Sequence, residues 1–425
     1  MTEELLNLPV PSVPAGDRGV AWLRAHVVRF SNGAEHARRR ALTTELIENV
    51  EVTTLDELAT ALGLPGSLPD IALIAPCYQP HEAVTAEADA AVEQLASRHD
   101  EETAARIGLL VQAWAATHAF AEHLRTGSPA PPVPVTRRVA GDDLVEVPLD
   151  AHPFGHGPHT CPGRRIATRL AKNLAFRAMH HQDEPLVLPN AWDLASAAAL
   201  HAAGFRAIGT TSLGVAAAHG LEDGAGLAGD QAVRLARTLA DLPCPVTADL
   251  EAGFGAAPEE VGELVAGLGV AGVNLEDGRP HGLADPREQA ALVTAVKERA
   301  PGVFLNARID TYWLGLSHDE TEERARRYVD AGADGIFVAG LTEPRDIERL
   351  AALAPLNVLA QARTPKQLGE LGVKRVSTGS LLFRAALRHT VTTALRVRDG
   401  EPAGDAFGYA EVQDLVSRGT RSAAG

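Results

Sequence analysis

Between residues 245 and 312, three short segments, PVTADLEAGFG, GVNLEDG and FLNARIDTY, alternate apolar and polar positions with period two. Side chains of a β-strand change face with that period, so each segment predicts a strand with two unlike faces. In the first, Val246, Ala248 and Leu250 share one face and Thr247, Asp249 and Glu251 the other. In the second, Val273 and Leu275 oppose Asn274 and Glu276; in the third, Leu305, Ala307 and Ile309 oppose Asn306, Arg308 and Asp310. A parallel strand covered by helices normally reads as a continuous apolar run. Three successive strands with one polar face each, and charges toward their C-terminal ends, predict the active-site mouth of a (β/α) barrel.

The same alternation of elements runs through residues 185–425. Strands are expected to begin near Leu186, Ala207, Pro245, Gly272, Phe304, Gly335, Asn357 and Arg375. Helices are expected over residues 193–203, 229–241, 258–268, 286–299, 319–331, 344–353 and 365–371. Several open on proline or an acidic cap and close on Gly204, Gly269, Gly332 or Gly372, which are ordinary helix start and stop signals. Eight β/α units in this length predict an α/β fold, a (β/α)8 TIM-type barrel. No G-x-G-x-x-G follows a strand, which disfavours a doubly wound dinucleotide fold.

Residues 1–180 predict a smaller, mainly α domain. AEHARRRALTTELI and the alanine-rich run 83–124 have helix-forming composition. A proline-rich break at 127–135 must be extended or turned, and TRRVAGDDLVEVPL after it suits one or two short strands. Arg164 to Met179 again reads as helix, so Cys161 sits on a glycine-bracketed loop before a helix start, where a thiolate is expected to be stabilised.

The composition narrows the function classes. A formal charge of −16 with no basic, aromatic-interleaved cluster argues against nucleic-acid binding. Three widely spaced cysteines suggest no disulfide framework, so a reducing cytoplasm is expected. The first residues lack a basic region followed by an apolar run, and no membrane-length apolar stretch follows. Neither export nor a membrane partner is expected. Cys77 and Cys244 lack nearby cysteine or histidine partners and read as packing residues, as do His180, His181, His201 and His219 as packing or surface residues.

At the barrel mouth, Asp249, Glu251, Glu276 and Asp310 would converge. Crowded carboxylates either take up protons or bind a cation, and hard oxygen donors suit Mg2+ or Mn2+. Arg308 could grip a small carboxylate substrate or an oxyanion bidentately. The alternative is an ion-pair layer of Arg308 with Asp310 or Glu276 that serves packing alone.

LPNAWDLASAAALHAAGFRAIGTTSLG, AHGLEDG, TADLEAGFG, GVNLEDG and FLNARIDTY together resemble the isocitrate lyase/phosphoenolpyruvate mutase superfamily. The resemblance implies Asp249 as principal Mg2+ ligand, with Glu251 and Glu276 bound through water. It implies that Ser212 and Leu213 offer a hydroxyl and backbone amides to an oxo-acid, with Arg308, Asp310 and Asn274 in the substrate layer and Asp223 on a loop near the reacting atoms. The implied chemistry is cleavage or formation of a C–C bond, or less commonly a C–P bond, next to an enolpyruvate-type oxyanion. C-terminal helices that pack against a neighbouring subunit would make a homo-oligomer. Departures lie in the loop EDGRPHGLADP, which has neither the lysines nor the cysteine of the lyase signature, leaving His281 as its obvious proton-transfer group.

Upstream, Phe154, Gly157, Cys161 and Gly163 reproduce F-x-x-G-x-x-x-C-x-G, and this segment resembles the haem-thiolate region of the cytochrome P-450 family. Glu122 and Arg125 resemble its E-x-x-R pair. The resemblance implies haem, with Cys161 as iron ligand and His36, Arg40 and His159 near the propionates. The region is less than half a full family member, and Ala115 and Ala116 stand where the oxygen-activating acid and threonine are expected. The N-terminal segment therefore reads as a haem-binding or electron-transfer module, or as a remnant. A non-catalytic scaffold is a third reading of the whole chain.

Overall fold

The computed structural model describes residues 2–128 and 131–424, with side chains through 417. Pro129 and Ala130, in the proline-rich break, lie outside the described residues. The chain divides into two compact units, Met1–Ala171 and Lys172–Gly425, and the boundary falls inside the helix Arg164–Met179.

The first unit is mainly helical, as its composition predicts. The alanine-rich run forms two helices, Ala86–Leu95 and Glu101–Thr126, each N-capped by a side chain, Thr85 bonding Ala88 N and Asp100 bonding Thr103 N. Its core gathers Trp22, Leu23, Leu58, Leu62, Ile71, Ile74, Ile107 and Leu110, all almost fully buried. The expected short strands are a hairpin, Val135–Ala140 paired antiparallel with Asp143–Pro148.

In the second unit, parallel strands run Leu186–Leu188, Asn190–Ala191, Ile208–Thr210, Val246–Asp249, Gly272–Glu276, Phe304–Ile309, Gly335–Val338, Leu356–Leu359 and Val373–Ser377. The first two are one strand interrupted at Pro189. One half pairs with the last strand and the other half with Ile208–Thr210, so the sheet closes on itself as an eight-stranded barrel. Asn190 bridges that seam: its amide donates to Thr210 O (2.7 Å), and its oxygen accepts from Thr378 Oγ1 (3.2 Å) and Gly379 N (2.9 Å). The expected helices are present within two residues of their expected ends. Two short ones were not anticipated, Ser212–Ala218 and Thr311–Leu314. Among the described residues, no helix is long and apolar enough to cross a membrane.

The apolar strand faces form one continuous core with the helices, including Val246, Ala248, Val273, Leu275, Leu305, Ala307 and Ile309. Cys244 and, in the first unit, Cys77 are buried packing residues. His180 is one as well, fully enclosed and stacked on Phe304 at 3.9 Å between ring centroids. Its Nδ1 donates to Phe176 O at 2.7 Å, and burial, with Arg375 nearby, pushes its pKa down to about 3. The unfolded chain takes up this proton near pH 6.5, so the stability is complete above that pH and is lost as pH falls towards 3. Between pH 6.5 and 5 the loss from this group should be about 2 kcal/mol. Urea midpoints should therefore fall less over that interval in His180→Leu than in the wild type; equal slopes would exclude His180 as a source of the acid limb.

Candidate active site

Strand register sets the floor of the mouth. Asp249 is level with Asn274, and Asn274 with Asn306, while Glu276 is level with Arg308 one pleat higher. In the lower layer Asn306 Nδ2 donates to Asn274 Oδ1 (3.0 Å), and Arg375 Nη2 reaches the same oxygen at 3.5 Å. Asn274, expected to meet substrate, thus spends its carboxamide oxygen inside the barrel. Asp249 is half-buried at the strand end, with its N–H donating to Thr210 Oγ1 (2.8 Å).

Glu251 does not arrive by simple alternation. The strand stops at Asp249, and Glu251 sits in the left-handed region at φ 48°, followed by Phe254 at φ 57°. Such backbone is costly for residues with a side chain and is found where structure around it enforces it. Here Gly226 N donates to Glu251 Oε2 (2.9 Å), tying the segment after Leu221 to this turn. Burial raises the pKa of the Asp223 carboxylate, and Ser212 beside it acts in the opposite direction. Ser212 and Leu213 open the short helix after the second barrel strand, so their N–H groups have no intrahelical acceptor.

Arg308 is held at two points. Its Nη1 meets Glu276 Oε2 at 2.7 Å and its Nε donates to Asp310 Oδ1 at 2.7 Å. The ion-pair layer considered from sequence therefore exists, but among the described residues it leaves one Nη1 hydrogen and both Nη2 hydrogens available to a ligand. Burial opposes the guanidinium charge, yet Glu276, Asp310 and Asp249 outweigh it and raise its pKa further. Burial pushes Glu276 up to about 8, against the pull of Arg308 and with help from Asp249 and Asp310. Asp310 is raised by burial too, opposed by Arg308, and Glu251 is raised by burial against the Gly226 hydrogen bond.

Two residues escaped sequence reading. Asp277, fully buried, accepts from Asp310 N (2.9 Å), Tyr328 OH (2.8 Å) and Arg324 Nη1 (3.1 Å). It fixes the turn that carries Asp310, and Gly278 beside it is required because a Cβ there would sit 2.4 Å from Asp310 Oδ2. Arg375, also fully buried, donates through Nε to Ser377 Oγ (2.9 Å) and leaves Nη1 without a partner among the described residues. Burial lowers its pKa to about 9, with Asp249 acting in the opposite direction. The signal for Arg375 was its alternation with Val373 and Ser377 on one strand face; for Asp277 there was none beyond its place in GVNLEDG. The loop after Glu276 forms a small ribbon, Gly278–Arg279 with Gly282–Leu283. Arg279 anchors it on Glu276 O (3.0 Å), and His281 stands exposed at its tip.

The carboxylates of Asp249, Glu251 and Glu276 are hard oxygen donors of the kind a divalent ion takes. Among the described residues, the oxygens of Asp249, Glu251 and Glu276 do not all lie within 4.8 Å of one another. Mg2+ tolerates that arrangement because it keeps several waters and takes few direct carboxylates.

A family model for phosphoenolpyruvate phosphomutase matches residues 176–398, more than half of the chain. The chain belongs to this family. An uncharacterized protein of Mycobacterium tuberculosis is 45% identical over 245 residues, 56% of this chain and 95% of its own length. The 2-methylisocitrate lyase of Bacillus subtilis is 31% identical over 201 residues, 44% of this chain and 65% of the lyase. A solved Burkholderia cenocepacia structure, assigned provisionally as a lyase/mutase, is 31% identical with a TM-score of 0.54, covering 58% of this chain and 96% of the other. Phosphonopyruvate hydrolase, solved with oxalate and Mg2+, shares the fold at 22% identity and a TM-score of 0.53, over 60% and 97% of the two chains. The chain is an enzyme of the isocitrate lyase/phosphoenolpyruvate mutase superfamily.

In the first unit, the residues of the haem signature are engaged with one another and with backbone. The His36 and His159 rings face each other at 4.2 Å, and Arg40 Nη1 donates to Thr160 O at 2.6 Å. Groups expected at propionates are thus engaged with one another or with backbone. A small cavity of this unit, lined by Val27, Val28, Thr43, Gly108 and Gln112 among others, measures about 10 Å3, room for one water. The expected thiolate is also corrected: burial pushes the Cys161 thiol up, despite the Gly163 N–H and the nearby Arg29, Arg40 and Arg164. Glu122 and Arg125 do form their ion pair, at 2.5 Å.

Proposed function

We propose that the barrel is a Mg2+- or Mn2+-dependent lyase that cleaves a C–C bond in a small oxo- or hydroxycarboxylate. The observation that carries this reading is Arg308, clamped by Glu276 and Asp310 beside Asp249 with N–H donors to spare. Asp249 would hold the ion directly, with Glu251 and Glu276 through water. The ion would supply Lewis-acid polarisation of the substrate oxygen. Arg308, its orientation already fixed, would meet the charge developing on an enolate oxygen without reorganising at the moment of reaction. Ser212 and Leu213 would bind the oxo-acid through hydroxyl and N–H groups, and Asp223 would orient the Ser212 hydroxyl. The short, anchored ribbon after Glu276 carries neither lysine nor cysteine, which leaves the proton donor to the Ser212–Asp223 pair, His281 or substrate-bound water. Turnover of an oxaloacetate-like and methylisocitrate-like acid panel with Mg2+, lost in chelator and regained on Mg2+ addition, is the direct test. No turnover of any such acid would sink the lyase reading.

A homo-oligomer through the C-terminal helix belongs to the same proposal. Along Leu381–Arg398, Leu387, Val391 and Leu395 are about half exposed at four-residue spacing, which makes one apolar stripe. Leu387→Glu with Val391→Glu should lower the solution mass to that of the monomer by light scattering; an unchanged mass removes this helix from the interface.

A further inference from the structure

We propose that Glu3, His152 and His156 form a binding site in the N-terminal unit for a divalent transition metal of the Zn2+ class. One ligand atom from each lies within 4.8 Å of the others. Glu3 Oε1 is 3.5 Å from His152 Nε2, and the two imidazole centroids are 5.1 Å apart. Tetrahedral ligands at metal bonds of about 2.0–2.1 Å are separated by roughly 3.4 Å. The Glu3–His152 edge already has that length, and His156 offers a ligand atom within 4.8 Å of both.

Both walls of the site are fixed by other contacts. On one side, the helix Thr2–Leu6 is docked through Leu6, buried with Val147 and Leu149. Arg138 Nε donates to Leu6 O (3.1 Å), and Val139 N to Pro9 O (2.9 Å). On the other side, His152 N donates to Leu149 O (3.1 Å) and Gly155 N to His152 O (2.8 Å). Gly155, at φ +77°, turns the chain back so that His156 returns beside His152; a Cβ there would also sit 3.0 Å from His159 O. Binding would therefore order few additional bonds, the condition for a site held to useful precision.

The donor set gives the ligand class. Two imidazoles and one carboxylate suit Zn2+, Co2+, Ni2+ or Cu2+, whereas Mg2+ and Ca2+ prefer all-oxygen shells. Three protein ligands leave at least one position to water. The ion would clip the N-terminal helix to the loop that precedes Cys161, so metal binding and retention of this helix are linked. This site is independent of the lyase reading.

The test is titration of the full, tag-free chain with Co2+ in millimolar Mg2+, which competes for the hard carboxylate mouth, read by visible absorption and calorimetry. One equivalent should bind with tetrahedral or five-coordinate d–d bands. His152→Ala, His156→Ala and Glu3→Gln should each weaken it by at least the ~10–100-fold that loss of a supporting group costs such sites. His99→Ala, a histidine paired with Glu93 elsewhere in the unit, should leave it unchanged. Equal Co2+ binding by the wild type and a His152→Ala/His156→Ala double variant would overturn the proposal, as would failure of the wild type to bind below millimolar Co2+. All the substituted side chains are at least partly exposed, and unchanged circular dichroism confirms that a loss is local.

Discussion

Asp249→Ala should abolish metal-dependent turnover, lowering kcat/KM by about a thousandfold, or roughly 4 kcal/mol of transition-state stabilisation. Asp249 is the half-buried carboxylate beside Arg308, Glu251 and Glu276. Its backbone N–H keeps the bond to Thr210 Oγ1 in the alanine variant, and among the described residues the side chain receives only a long contact from Glu251 N at 3.4 Å. Removing it takes one negative charge from a crowded mouth, which relieves repulsion in the metal-free protein. Metal-free Asp249→Ala should therefore be at least as thermally stable as the wild type, while Mg2+ no longer raises its Tm. That combination separates loss of the ion from loss of the fold. Mg2+-dependent activity within tenfold of wild type in this variant would remove Asp249 from the site.

The second large effect is on stability. Asp277→Ala leaves Arg324 Nη1, the Tyr328 hydroxyl and the Asp310 N–H without their shared acceptor in a buried place. Breaking a buried pair by deleting one partner typically costs about 3–5 kcal/mol. Arg324 keeps Glu320 and Ala284 O, which places the expected loss toward the lower figure. For a domain of this size, that is a fall in Tm of about 6–12 °C. Asp277→Asn keeps the shape and one acceptor and should lose less. Activity should fall in both variants, because Asp310 positions Arg308 and Asp277 positions Asp310. A Tm within about 2 °C of wild type for Asp277→Ala would show that the pair is not needed for stability.

The three segments over residues 245–312 were informative because a strand's two-residue period is local: Asn274 and Glu276, or Asn306 and Arg308, must share a face wherever the strand lies. The expected strand starts at Leu186, Gly272, Phe304 and Gly335 match the observed ones for that reason, as do the proline-led helices at Pro258, Pro286, Pro344 and Pro365. The same rule overreached at Glu251, where the strand had ended and a left-handed turn, held by Gly226, carries the carboxylate to its position.

Sequence by itself determined the barrel, the layer of carboxylates and the arginine among them, because these follow from periodicity and residue type within single segments. Only the tertiary structure decided how those charges are shared. It placed Glu276 and Asp310 on Arg308, Asp277 between Arg324 and Tyr328, Arg375 beneath the mouth, and Glu3 beside His152 and His156. Each of these pairings except Arg308 with Asp310 joins residues well separated along the chain. Their strength depends on distance and burial, which the packing of separate strands and helices sets and no local pattern encodes.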